Sequence, residues 1–206
     1  MKLQLKTKSV ISYLSKKEIS KLLPISEYKS VSQVLSNPKQ KAWFKAQMKD
    51  KDSAMSKATR QGTKTHKALE SGEAKDAFTI ACLEAFEKDV LVDIDEIWGQ
   101  EEWLAHPLGY KGKFDGVGIF RGKLTLFDHK KTNKPKTGSG LTGYFKQLMA
   151  YHQAHTHLYA EHPIEQVAIF NIFGKSIEEI GTSVTTLDSS QMAKFLTEFN
   201  GRLCDS

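Results

Sequence analysis

Near residue 90 the apolar residues of this chain change period, and that change decides its fold class. Before it they recur at helical spacing. Asn37-Pro38 reads as a helix start, followed by Trp43, Phe44 and Met48 through Lys51. A second helix is predicted over Lys57–Glu70, opening near Gly62, and a third over Lys75–Lys88 with Phe78, Leu83 and Phe86 apolar. After the change, Ile94–Ala105, Tyr110–Phe120 and Lys123–His129 each read as a strand. Arg121-Gly122 is a two-residue hairpin signal between the last two strands. Leu124 and Leu126 give the third strand an apolar face.

Residues 130–143, KKTNKPKTGSGLTG, are polar, basic and glycine-rich, and read as a loop. Helical spacing returns over Leu141–Tyr159, and Val167–Phe173 is a short apolar strand with Ile177–Thr185 as its hairpin partner. Asp188-Ser189-Ser190 precedes a last helix carrying Met192, Phe195, Leu196 and Phe199. The expected fold is α/β, with a mixed central β-sheet flanked by helices. A single domain is expected over residues 1–206. Within it, 1–39 is weakly periodic, broken by Pro24 and Pro38, and reads as an N-terminal extension of a 40–206 core.

Several function classes are excluded by what the chain lacks. Cys82 and Cys204 are its two cysteines, too few for a four-thiolate zinc or iron–sulfur site. No apolar run approaches the roughly 20 residues of a membrane span, and Met1–Lys21 has no continuous apolar stretch for a secretory signal. A soluble cytoplasmic protein without a membrane partner is expected, in a bacterial or phage-infected cell. Lys plus Arg is 30 against 24 Asp plus Glu, and the resulting +6 permits a polyanionic partner without demanding one.

The residues that point to chemistry are Asp115, Asp128 and Lys130. The hairpin sets the strands of Asp115 and Asp128 side by side, so the two carboxylates can converge at one sheet end. Strand alternation puts positions 128 and 130 on one face. Two acids and a lysine suit a hard divalent cation, Mg²⁺ first, together with its water and a phosphate.

Three blocks of sequence carry a family resemblance. Asp115 with Asp128-His129-Lys130 resembles the PD-(D/E)XK nuclease core. Gly62-Thr63-Lys64-Thr65-His66 is similar to the G-x-x-x-H segment of the RecB-type branch, and Gln147 to Tyr151 to its Q-x-x-x-Y motif. Within that branch the chain looks most like the mitochondrial genome maintenance exonucleases. The resemblance spans roughly Val31 to Leu203 and implies an Mg²⁺-dependent DNA exonuclease, with Mn²⁺ also supporting activity. It implies His66, Asp115, Asp128 and the backbone carbonyl of His129 as metal ligands. Lys130 would be the catalytic lysine, with Gln147 and Tyr151, one helical turn apart, positioning it and a phosphate.

The family often carries a further acid on the first of these strands. Glu101 and Glu102 both qualify, and Glu101 is favoured because it shares a strand face with Trp103 and Ala105. Glu70, one turn after His66, reads as a partner for its ring. The position between Asp128 and Lys130 is often apolar in the superfamily and is His129 here. No G-x-x-x-x-G-K-[ST] phosphate loop is present in these residues, so a nuclease without its own motor is expected.

Lys130, Lys131, Lys134 and Lys136 flank the expected site, and Lys64 and Lys67 next to His66 would extend a phosphate track. Among aromatics, Tyr144 is the favoured base-stacking candidate, over Phe145 and over Trp43 and Phe44, whose spacing suggests core. The expected partner is DNA, unpaired or with free ends, cut without sequence preference by a monomer in replication, recombination or repair. The alternatives are a PD-(D/E)XK endonuclease or junction resolvase, or a non-catalytic DNA-binding module on the same fold.

Overall fold

The structure is a computed structural model that describes residues 1–205, the side chain of Gln40 aside; Ser206, the end of the expected domain range, lies outside the described residues. Helices α1 (Lys16–Leu22), α2 (Val31–Val34), α3 (Pro38–Gln47), α4 (Ala54–Ser71) and α5 (Ala77–Asp89) precede most of the strands. The strands are β1 (Lys29–Ser30), β2 (Ile94–Gln100), β3 (Trp103–His106), β4 (Tyr110–Lys113), β5 (Gly116–Phe120), β6 (Lys123–Thr132), β7 (Gln166–Phe173) and β8 (Gly181–Asp188). Helix α6 (Thr142–Leu158) joins β6 to β7, and α7 (Ser189–Cys204) follows β8. The architecture is α/β, a mixed sheet flanked by helices. Five strands run in the order β2-β5-β6-β7-β8, with β6 and β7 parallel and the other neighbours antiparallel.

Strand alternation divides the core between the two sheet faces. Leu124, Leu126, Val167 and Ile169 pack with Phe145, Leu148 and Met149 of α6 and Phe199 of α7. Phe127, Ala168, Phe170 and Ile172 pack with Leu69 of α4 and Cys82, Leu83 and Phe86 of α5. The third predicted strand therefore has two covered faces rather than one. A central strand between antiparallel and parallel neighbours is buried on both sides.

Two expected strands are each broken in two. Ile94–Ala105 divides into β2 and β3, and Tyr110–Phe120 into β4 and β5. The breaks are level with each other: Glu101 N donates to Asp115 O (3.3 Å) and Phe114 N to Glu102 O (3.2 Å). Glu101 adopts φ 54°, a left-handed conformation that is costly for a side-chain-bearing residue. The ribbon bends there, leaving the five-stranded sheet for a smaller one of order β1-β4-β3. The Arg121-Gly122 turn behaves as the sequence predicts, with φ 50° and 74°, the twist a tight hairpin needs.

Other boundaries move as well. Strand β6 runs to Thr132 instead of His129, because Lys130, Lys131 and Thr132 align with Asn171, Ile172 and Phe173 of β7. The loop therefore starts three residues later than expected, and a short 3-10 turn covers Gly138–Leu141. Helix α4 begins at Ala54, capped by Ser53, whose hydroxyl accepts from Ser56 N. Much of residues 1–35 is packed into the body. Ile11, Val31 and Val34 join the α6-side core, Leu3 joins the α5-side core, and Ile19 and Ile25 cluster with Ala105. Among the described residues no helix is long and apolar enough to cross a membrane.

Candidate active site

Asp115 lies where the ribbon bends, between β4 and β5, and Asp128 on the adjacent strand β6. Asp115 Oδ2 accepts from His129 N at 2.7 Å, which fixes the carboxylate against the next strand. Asp128 faces α6 and is 1% exposed. Lys130 shares that face, as alternation predicts, and its Nζ is 2.6 Å from Asp128 Oδ2. Asp128 Oδ1 is also 3.5 Å from Gln147 Nε2, which lies 3.4 Å from Tyr151 OH. Gln147 and Tyr151 thus meet Asp128 through Gln147 rather than touching Lys130 directly. Tyr144, one turn earlier on α6, lies under Lys130 Nζ (5.0 Å to the ring centroid).

On the other side, α4 brings in His66. Its Nδ1 is 3.7 Å from Asp115 Oδ2 and its Nε2 is 3.0 Å from Glu101 Oε1. Glu101 Oε2 pairs with Lys113 Nζ at 2.7 Å. His66, exposed Glu70 and Glu101 bring ligand atoms within 4.8 Å of one another. Glu101 reaches His66, but not because of strand parity: it sits at the bend, outside any strand. Glu102 acts electrostatically on Tyr13 and Tyr159 as well as on Lys113. Nothing in the sequence marks Lys113, because its pairing with Glu101 depends on the bend bringing the two strands together.

Burial sets the electrostatics. It pushes the Asp115 carboxyl upward against the opposing pull of Lys130 and His66. It pushes Asp128 up to about 6, again against Lys130 and with repulsion from Asp115 added. Burial works against the Lys130 charge, but Asp128 and Asp115 outweigh it, so its pKa rises. Burial also takes His129 down to about 4, leaving its ring neutral. That ring points away from Lys130, 5.3 Å from Phe86, 5.4 Å from Phe127 and 5.8 Å from Phe170. An aromatic environment accepts the neutral imidazole.

Buried Asp128 and partly buried Asp115 both have raised pKa values, and Lys130 is in contact with Asp128. The donor set of carboxylate oxygens with an imidazole nitrogen fits a hard divalent cation, Mg²⁺ or Mn²⁺. Among the described residues His66, Glu70 and Glu101 bring their ligand atoms close enough together to share one, and Asp115 lies 3.7 Å from His66 Nδ1.

The expected lysine track is only partly assembled. Lys136 Nζ is 2.8 Å from Tyr144 OH and lies over the same ring as Lys130, 4.7 Å from its centroid. Tyr144 is thus engaged by two lysines rather than free to stack a base. Lys134 is exposed. Lys131 Nζ donates to Thr132 O (2.9 Å) and Gly174 O (2.6 Å), tied to the backbone because alternation turns it away from Lys130. Lys64 and Lys67 do not extend the track: two helix positions from His66 Lys64 points away, toward Asp76 (3.9 Å). Phe145 is 4% exposed and packs on Phe195, so it cannot stack a base.

An open cleft of about 540 Å³ adjoins the site, between Met55, Thr59 and Gly62 of α4 and Lys130, Lys136 and Tyr144. On the α6 side, Tyr151 packs over Gly112 of β4, where a Cβ would come within 2.6 Å of its Cε1. Gly112→Ala should therefore displace Tyr151 and cost roughly 1–3 kcal/mol by overpacking. Urea unfolding checks it; an unchanged midpoint would remove this packing constraint.

No family model and no curated protein matches the sequence. In structure the chain is similar to an exonuclease candidate from Eubacterium rectale, with 12% identity and a TM-score of 0.55 over 94% of this chain and 86% of that one. It is also similar to an alkaline exonuclease from Laribacter hongkongensis, with 13% identity and a TM-score of 0.40 over 87% of each chain. At 12% identity the first likeness is one of fold, the mixed sheet with its flanking helices.

Proposed function

We propose that this chain is a metal-dependent deoxyribonuclease of the PD-(D/E)XK type, an exonuclease that hydrolyses phosphodiester bonds without reading sequence. The observation that carries the reading is the meeting of Asp115, just before β5, with Asp128 and Lys130 of the neighbouring β6, and His66 beside Asp115. The fold likeness to a protein described as an exonuclease candidate supports the same reading. So does the order of the G-x-x-x-H, Asp/Asp-x-Lys and Q-x-x-x-Y blocks along the chain.

In this reading Asp115, Asp128, His66 and the His129 carbonyl would hold Mg²⁺, with Mn²⁺ as a substitute. The cation would supply Lewis acidity at the phosphate and lower the pKa of the attacking water. Lys130 orients that water and meets charge developing on the phosphate. Gln147, held between Asp128 and Tyr151, fixes the Asp128 carboxylate. With its Nε2–H tautomer His66 donates to Glu101, which turns Nδ1 toward Asp115; Lys113 pairs with the other Glu101 oxygen. Lys134 and Lys136 bind the backbone of a DNA strand lying in the cleft. The enzyme works as a cytoplasmic monomer in replication, recombination or repair.

Linear and closed circular DNA separate this reading from an endonuclease. Loss of end-labelled linear DNA with circles spared is the expected result; cut circles would reassign the chain. Binding should also weaken steeply with salt. Three to four phosphate contacts on a single strand predict about a 20–50-fold loss of affinity between 50 and 200 mM salt. A flat response in a filter-binding titration would argue against a phosphate-backbone ligand.

A further inference from the structure

Helix α3 stands apart from the rest of the body. Its residues with described side chains, from Pro38 through Gln47, are all exposed. Trp43 is 56% and Phe44 42% exposed, contrary to the core role their spacing suggests. Helical periodicity cannot tell a face that packs from one that meets a partner. The helix carries Lys39, Lys41 and Lys45 and no acid, and none of these lysines forms an ion pair among the described residues. Lys49 and Lys51 follow it, interspersed with Asp50 and Asp52, and Asp52 lies 3.9 Å from Lys57.

Its C-terminal end is anchored beside the cleft. Met48 Sδ receives contacts from Ser56 Oγ and Thr59 Oγ1, both at 3.7 Å. Thr59 lines the cleft, and His66 lies two helical turns farther along the same helix. Phe44 precedes Met48 by one turn and so lies on the same side of the chain as that anchor. The cleft therefore runs from Lys130 and Tyr144 along α4 to the base of a basic helix bearing two exposed aromatic rings.

We infer that α3 is a docking platform for an unpaired DNA strand entering or leaving the cleft. Trp43 and Phe44 stack on its bases, and Lys39, Lys41 and Lys45 meet its phosphates. This rests on the deoxyribonuclease reading and extends the substrate path beyond the catalytic groups. Charge complementarity selects a polyanion. The exposed rings select an unpaired strand, because bases within a duplex are already stacked and offer no free face. Tyr144, the residue the sequence suggests for stacking, is covered by two lysines; the rings on α3 are not.

The test uses the full-length protein in chelator, so that binding is read without cleavage. Oligothymidylate should quench tryptophan emission in the wild type and leave it unquenched in Trp43→Ala. The Trp43→Ala/Phe44→Ala double variant should bind the oligonucleotide about tenfold or more weakly, the size expected for loss of base stacking. Affinity for blunt duplex of the same length should change far less, and the melting temperature should hold, since both rings are exposed. With metal restored, the double variant should show a raised KM on single strands. Unaltered affinity and KM, with the wild type cutting DNA normally, would overturn the α3 inference alone. Equal losses on duplex and single strands would overturn its commitment to an unpaired strand. Concentration-dependent self-association of the wild type, absent in the double variant, would assign the rings to a second copy and overturn it too. A wild type that neither binds nor cuts DNA would overturn both this inference and the nuclease reading.

Discussion

Lys130→Ala is expected to lower DNA cleavage by about 10²–10³-fold or more while DNA binding stays within a few-fold of wild type. The asymmetry follows from where Lys130 sits. Its ammonium group is 2.6 Å from Asp128 and above the Tyr144 ring, at the point where the two carboxylates converge. In the proposed reading strand affinity, by contrast, is spread over Lys134, Lys136 and the wider cleft. Lys130→Arg should not rescue the loss, because a planar guanidinium cannot reproduce a compact ammonium in this site. Removing Lys130 also takes away the main opposition to burial at Asp128, so its carboxyl should hold its proton to higher pH. A cooperative thermal transition in the variant checks that the fold survives. Equal loss of binding and cleavage would make Lys130 a strand-binding residue only; undiminished turnover would remove it from the mechanism.

Asp128→Ala is expected to abolish both metal binding and cleavage. Asp128 is 1% exposed, and its two oxygens face Lys130 and Gln147. Metal binding to the wild type should stabilise the fold, by about 2.7 kcal/mol at a free concentration a hundred times Kd. For a chain of this size that is a rise in Tm of roughly 5–10 °C. The variant should show none. The sign of the pH dependence also follows. Only the ionised carboxylate binds a cation, and burial holds the Asp128 pKa at about 6. The metal-induced shift in Tm should therefore be full at neutral pH and shrink as pH falls through about 6. Calorimetric melts of both proteins with Mn²⁺ across that range check it. A shift of the same size in the variant would place the cation elsewhere, with the His66, Glu70 and Glu101 cluster the first place to look.

Much of the fold is legible in the sequence because hydrophobic period is a local property. Leu83 and Phe86, or Val167 and Ile169, declare helix or strand by their spacing, and Arg121-Gly122 declares its turn by chemistry. The convergence of Asp128 and Lys130 is likewise a matter of period two. What the sequence hides is set by tertiary contact. The bend at Glu101 breaks two strands, and no residue type there announces a left-handed conformation. The parity argument selects Glu101 over Glu102, yet Glu101 reaches His66 from outside a strand. Lys64 is near His66 in sequence and faces away in space, because neighbouring helix positions point in different directions. Trp43 and Phe44 have the spacing of a core face and no core to meet.

The central claim is that a divalent cation and Lys130 together make this chain a deoxyribonuclease. The most direct measurement is cleavage of end-labelled linear single-stranded DNA by the wild type and Lys130→Ala, each with Mg²⁺, Mn²⁺ or excess chelator. The expected result is cleavage by the wild type with either metal, none in chelator, and little or none by the variant under any condition. Full cleavage in chelator, or equal cleavage by the two proteins, would contradict it.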